Sequence, residues 1–151
     1  MDVGDIRMTH DTAVISVMLA ASDAQAAVRW YREALGAEVM WDLGSVVGLS
    51  ILGAPVFVGE PSGNGWEVPS APSLPSCRVE LFCDDPDPLL ARAVRHGAVG
   101  RTVPIANHAM PWGLHRQGSF VDPFGHLWLI GDKSPLDPPN RHPSGQDRQE
   151  G

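Results

Sequence analysis

The 151-residue sequence predicts an α+β fold built from two β-α-β-β-β halves, and three observations carry that prediction. A half-unit recurs in register: Asp23 to Asp84 and Gly36 to Gly97 are both steps of 61 residues, so a helix start and a helix stop repeat together. Each candidate helix is followed by three short β-prone runs. Near the end, Ser119-Phe120-Val121-Asp122-Pro123-Phe124-Gly125-His126-Leu127-Trp128-Leu129 reads as strand, tight turn and strand, with Pro123 presetting φ and Gly125 taking the strained position.

Residues 1–12 form an N-terminal extension, and the first strand is expected over 13–20. A helix then starts at Ser22-Asp23, where Ser22 and Gln25 have capping-box spacing, and stops at Gly36. Its stripe of Ala24, Ala27, Val28, Tyr31 and Leu35 keeps helical spacing. Strands follow at 37–41, 45–52 and 55–59, completing a first module over 13–59. Residues 60–76 hold four prolines and two glycines and read as a linker, in which Trp66 either lids a site or packs locally. The second module, 77–131, opens with strand 77–83. Its helix starts at Asp84-Asp85 with Pro86 in the first turn, turns Leu89, Leu90 and Ala93 inward, and stops at Gly97. Strands 98–103, 114–121 and 126–131 complete it, with loop 104–113 entering the seventh. Residues 132–151 carry no apolar period and are expected to be disordered.

Composition fits one compact domain, since 43% apolar and 19% charged residues are ordinary for a chain that buries a core. A net charge of −7 argues against a nucleic-acid partner, which demands a clustered basic face. No apolar run reaches membrane-spanning length and the start lacks a basic-then-apolar leader, so no membrane partner and a cytoplasmic location are expected. Cys77 and Cys83 lie on one predicted strand, roughly 20 Å apart when extended, and cannot bridge each other there. Without Cys-x-x-Cys spacing they read as small buried hydrophobes.

The turn segment and Trp30-Tyr31-Arg32-Glu33-Ala34-Leu35-Gly36-Ala37-Glu38-Val39 together resemble the vicinal oxygen chelate superfamily of glyoxalases, extradiol dioxygenases, fosfomycin-modifying enzymes and bleomycin-resistance proteins. The form with Phe124, His126 and Trp128 is most similar to its PhnB-like branch. The resemblance covers 13–131 as a single domain. It implies a curved, mostly antiparallel eight-stranded sheet around a cleft, with helices outside, and commonly a homodimer. It also implies where a divalent metal would be held. Metal enzymes of the superfamily read His-x-x-x-x-x-x-Asp from first strand into helix, which places Ser16 and Arg78 at the two His positions. They end on Asp-Pro-x-Gly-x-x-x-Glu, which places Leu129 at the Glu position, and the remaining position falls among Val56, Phe57 and Val58. A guanidinium has no lone pair to give and would repel a metal, and an alkyl chain is inert. No metal and no cofactor are therefore expected.

The other chemistry-bearing residues offer little. His10 and His142 lie in the ends, His96 sits at a helix C-terminus, and His126 belongs to the turn and is expected to bond locally. His108 and His115 flank a loop as the remaining candidate metal pair. No Gly-x-Ser-x-Gly elbow appears.

Strand alternation predicts the cleft lining: Ser16 with Met18, Arg78 with Glu80, Leu129 with Leu127, and Ser119 with Gln117 and His115. Gly118, Phe120 and Trp128 should then meet the helices. Trp112 is expected to overhang the cleft and Trp66 to lid it or pack. Arg78 and Glu80 sit at i, i+2, so the cation either pairs with Glu80 or meets an anionic ligand group. Apolar walls with sparse polar groups suit a small-molecule ligand. The first reading is a metal-free binder of the bleomycin-resistance type, sequestering an aromatic or hydrophobic molecule. The second is an enzyme of the same fold, a lyase, isomerase or dioxygenase relative, with a relocated metal or with Glu80 or His115 as general base.

Overall fold

The computed structural model describes residues 12–136 apart from 64 and 71–74. The chain runs β1 (Met18–Ala20), α1 (Ala24–Leu35), β2 (Glu38–Asp42), β3 (Val46–Ile51), β4 (Ala54–Gly59), β5 (Arg78–Phe82), α2 (Pro86–Arg95), β6 (Val99–Met110), β7 (Gly113–Val121) and β8 (Leu127–Gly131), and ends in a 3-10 turn at Ser134–Leu136. The two β-α-β-β-β modules are present. Their strands form two four-stranded sheets of matching order, β1-β4-β3-β2 and β5-β8-β7-β6, instead of one hydrogen-bonded run of eight. Each helix crossover returns the chain so that β1 pairs with β4, and β5 with β8, in parallel, while the hairpin-connected pairs are antiparallel.

Local chemistry sets the helix ends. The N-cap of α1 is Asp23, whose carboxylate accepts from the Ala26 amide at 3.1 Å. The Ser22–Gln25 capping box does not form, because the Gln25 amide reaches across to Asp42 and the Gly44 carbonyl. Glu60, from the start of the linker, accepts from the Ala24 amide and satisfies a second orphan donor. Gly36 ends the helix at φ 68°, the left-handed position that favours glycine. In α2, Pro86 occupies the first turn after Asp85, and His96 is the C-cap ahead of Gly97.

Two strand predictions require correction. The run 13–17 is not part of β1. The Val17 carbonyl accepts from the Phe57 amide, and the next rung toward the N-terminus would need an N–H at Pro55, which has none. Strand β6, by contrast, runs on through most of the predicted loop 104–113. As a sheet edge it tolerates Pro104 by shifting register between Val103 and Ala106, and it closes as a hairpin at Met110–Gly113. The predicted disorder after 131 also fails at its start, since 132–136 are ordered and pack on β7. Residues 1–11 and 137–151 lie outside the described residues.

One core unites both modules. The predicted stripe of α1 is buried, together with Val47, Leu49, Ile51, Val56 and Val58 from the first sheet and Leu90, Phe120, Trp128 and Ile130 from the second module. The junction is polar as well. Buried Asp122 accepts hydrogen bonds from the Tyr31 hydroxyl, the Trp128 indole N–H and the Phe124 and His126 amides. The His126 ring does not bond locally as expected; its Nε2 donates to the Ala20 carbonyl of β1 at 2.8 Å. The signature turn thus fastens one module to the other.

Candidate functional site

Register decides which side chains share a face. In the second module, Arg78 lies opposite Leu127, Glu80 opposite Leu129 and Ser119, and Phe82 opposite Gly131 and Gln117. All of these, and His115 two residues before Gln117, lie on the face turned away from the helices. Phe120 and Trp128 lie on the opposite face, and a Cβ at Gly118 would strike Leu90 of α2. In the first module one row crosses the whole sheet: Met18, Phe57, Gly48 and Trp41.

That row carries an apolar platform that sequence reasoning missed. Met18 is 40% exposed and Trp41 37% exposed, and the Trp41 and Phe57 rings lie 5.2 Å apart. The indole lies flat over Gly48, where any Cβ would overlap it. Beside it, Gly59 leaves room for Met18 and for Trp66, whose Cη2 would stand 3.3 Å from a Cβ there. Trp66 therefore folds from the linker onto this face. For Phe57 the sequence signal was its alternation with the buried Val56 and Val58; Trp41 reaches this row through the register shift between Val39 and Trp41, which alternation does not predict.

The remaining predicted residues divide. Ser16 is exposed ahead of β1, off the sheet. Arg78 and Glu80 pair with each other, Nε to Oε2 at 2.9 Å with a second bond from Nη2. Leu127 and Ser119 are half-buried, whereas Leu129 is buried at 3% exposure and offers almost no free surface. Trp112 stands beside His115 through a shared partner, Ser134. It sits in the two-residue β6–β7 turn, and its indole N–H donates to Ser134 Oγ at 3.1 Å. A cavity of about 240 Å³ is lined from both modules by Ile15, Val17, Pro55, Arg78 and Glu80 with Trp128 behind them, so apolar walls surround one internally paired cation. An open recess of about 330 Å³ adjoins it at Cys77, Arg78, Glu80 and Leu127.

His115 is buried, and its Nδ1 lies 2.8 Å from Asp132 Oδ1 and 3.2 Å from Ser134 Oγ. Burial opposes ionisation of Asp132. Hydrogen bonds from the Arg116 amide, Ser134 and His115 outweigh it and hold the carboxyl well below the usual carboxylate range. His108 lies directly across the β6–β7 pair from His115, but the His115 ring leans the other way, over Gly131 of β8. The two do not make a ligand pair. Asp132 and Ser134 were missed because 132 onward lacks any periodic pattern. Of the two thiols, Cys83 is buried and its pKa is pushed up by that burial, but Cys77 is exposed, against expectation. Cys77 directly precedes β5 at the rim of the open recess, so it has no sheet partner to bury it.

A family model for the glyoxalase-like domain matches residues 16–130. The chain belongs to that family. Among solved structures, the glyoxalase-like domain is similar to TioX from Micromonospora sp. ML1, at 26% identity and a TM-score of 0.59, covering 80% of this chain and 98% of that one. It is also similar to a glyoxalase/bleomycin resistance protein/dioxygenase from Alicyclobacillus acidocaldarius, at 15% identity and a TM-score of 0.62, covering 80% and 91%. The fosfomycin resistance protein FosX from Mesorhizobium loti aligns at 13% identity and a TM-score of 0.56, covering 80% and 91%, and shares the fold. No curated protein matches. The glyoxalase-like fold brings a metal site to mind, but the donor set here does not fit one. Ser16 stands off the sheet, Arg78 is a cation held by Glu80, Leu129 is an alkyl chain, and Val56 and Val58 point into the core. Among the described residues no group of three or more His, Cys, Asp or Glu is arranged to hold an ion, and no helix is long and apolar enough to cross a membrane.

Proposed function

We propose that this glyoxalase-like domain is a metal-free small-molecule-binding protein of the bleomycin-resistance type, which sequesters an aromatic or hydrophobic ligand, such as an antibiotic, on the helix-free faces of its sheets. One observation carries the reading: the half-exposed Met18–Phe57–Trp41 row, floored by Gly48 and flanked by Trp66. A flat indole on a glycine floor offers a planar ligand a stacking surface worth about 0.5–1.5 kcal/mol beyond area. The form of Phe124, His126 and Trp128 supports a place in the PhnB-like branch. A homodimer is part of the proposal, supported by the exposed apolar run Val14, Ile15 and Val17 beside an unpaired edge of β1. A cytoplasmic location is supported by the two free thiols.

The test is a thermal-shift screen of planar natural products, followed by tryptophan-fluorescence titration of the hits. Trp41→Ala should remove most of the fluorescence response and weaken binding about threefold to tenfold, while EDTA leaves the melting temperature unchanged. One transition-metal ion per chain held by side chains, or an unaltered titration in Trp41→Ala and Trp66→Ala alike, would sink the reading. The second reading is an enzyme of the same fold, a lyase, isomerase or dioxygenase relative. Glu80 is committed to Arg78, so the observation favouring that reading is the oriented His115–Asp132 pair.

A further inference from the structure

The His115 imidazole is fixed in one tautomer by its surroundings. Asp132 is held as a carboxylate, so the ring nitrogen facing it at 2.8 Å must carry the proton, and Ser134 Oγ stands on the same nitrogen. In the neutral ring, Nε2 is then a bare lone pair. The ring is 97% buried by its 3% exposure, and among the described residues nothing hydrogen-bonds Nε2. It lies where the side chain of residue 131 would be, since a Cβ at Gly131 would stand 3.0 Å from Nε2. A buried acceptor without a donor is destabilising, so such an atom calls for a partner.

The neighbours describe that partner. Phe82 sets its ring 5.9 Å from the imidazole, tilted by 57°, and half-buried Gln117 lies two residues along the same face. Other titratable groups are Asp132 behind the ring and His108 across on β6; Arg116, on the opposite face of β7, is occupied by Asp87 and Asn107. An apolar aromatic wall with one directed lone pair selects a planar molecule that carries an acidic O–H.

We propose that His115 is the proton-accepting anchor on the helix-free face of the second module, which takes a phenol-class group through Nε2; this rests on the reading of the helix-free faces as the ligand surface. The phenol O–H breaks as its proton passes to Nε2. The imidazolium then lies between the phenolate and the Asp132 carboxylate, so the new anion has a cation beside it and the net charge of the site stays that of the carboxylate alone. His115 lies in the other sheet from Trp41, so loss of phenol capture and loss of stacking on the Trp41 platform are read separately. Asp132 acts on the ligand only through the ring and is a positioning residue.

Two measurements test the proposal on the full chain, with 4-nitrophenol as the probe. Long-range ¹H–¹⁵N correlation spectra of the free protein should show His115 protonated at Nδ1 in its neutral form. Titrated below the probe's own ionisation midpoint, the bound probe should show phenolate absorbance. His115→Asn keeps a donor for Asp132 but has no atom at Nε2. It should bind at least tenfold more weakly without the phenolate band, and Asp132→Asn should bind the probe as neutral phenol. An Nε2–H tautomer overturns the proposal, even if the variants fail to fold. So does absence of probe binding by wild type, which would mean that water fills the site, and so does unchanged probe binding in His115→Asn.

Discussion

Removing one oxygen atom at the module junction, by Tyr31→Phe, tests how the two halves are joined. Tyr31 is 1% exposed and donates to Asp122, a carboxylate with no exposure that has three further donors. The change therefore leaves Asp122 hydrogen-bonded and opens no cavity larger than a hydroxyl. The loss should be that of one hydrogen bond to a charged group, about 1.5–3 kcal/mol, or a fall in Tm of roughly 5–10 °C for a chain of this size. The alkaline limb gives an independent reading, because Tyr31 is the only tyrosine in the sequence. Burial and then the Asp122 charge push its pKa well above 10 in the fold. A raised folded pKa means that its contribution is whole below about pH 10. Above that the unfolded chain releases the proton and the fold keeps it, so stability falls with rising pH by up to about 1.4 kcal/mol per unit. Buried Cys83 adds a slope of the same sign, so the quantity to read is the difference between wild type and Tyr31→Phe. Urea titrations from pH 8 to 11.5, with tyrosinate absorbance followed in parallel, measure both effects. Equal stability of the two proteins, or tyrosinate appearing near pH 10 ahead of unfolding, would refute a junction sealed by this bond.

Arg78→Ala should cost less than about 1 kcal/mol, because the Arg78–Glu80 pair is 48% and 37% exposed; it should also leave the affinity of platform ligands unchanged. A tenfold loss of affinity, read by the same fluorescence titration, would return Arg78 to ligand recognition. On the acid side, the Asp132 carboxyl is depressed in the fold, so its contribution is present above about pH 4 and lost as pH falls further. Asp132→Ala should flatten that part of the stability curve measured by urea unfolding, and an unchanged curve would mean that the carboxylate is not held as described.

What the sequence determined was the local layer of the molecule. Helical spacing placed the buried face of α1, Gly36 stopped it, and the 61-residue recurrence announced two modules. Alternation sorted Phe120 and Trp128 from Gln117 and Ser119. These features depend on neighbours three or four residues apart on a helix, or two apart on a strand, so a linear reading reaches them. Tertiary structure decided everything that depends on pairing between distant segments. Pro55 cut β1 short by withholding a rung from a strand some forty residues earlier, and β6 absorbed a proline by shifting register. Gly48 became a floor only because β2 laid Trp41 over it. His115 gained a fixed tautomer from Asp132 and Ser134, in a segment whose sequence carries no period, and His126 fastened onto Ala20, 106 residues away. Parity tells which face a side chain takes, but only register between strands tells which side chain it meets, and register is set by the packing of the whole sheet.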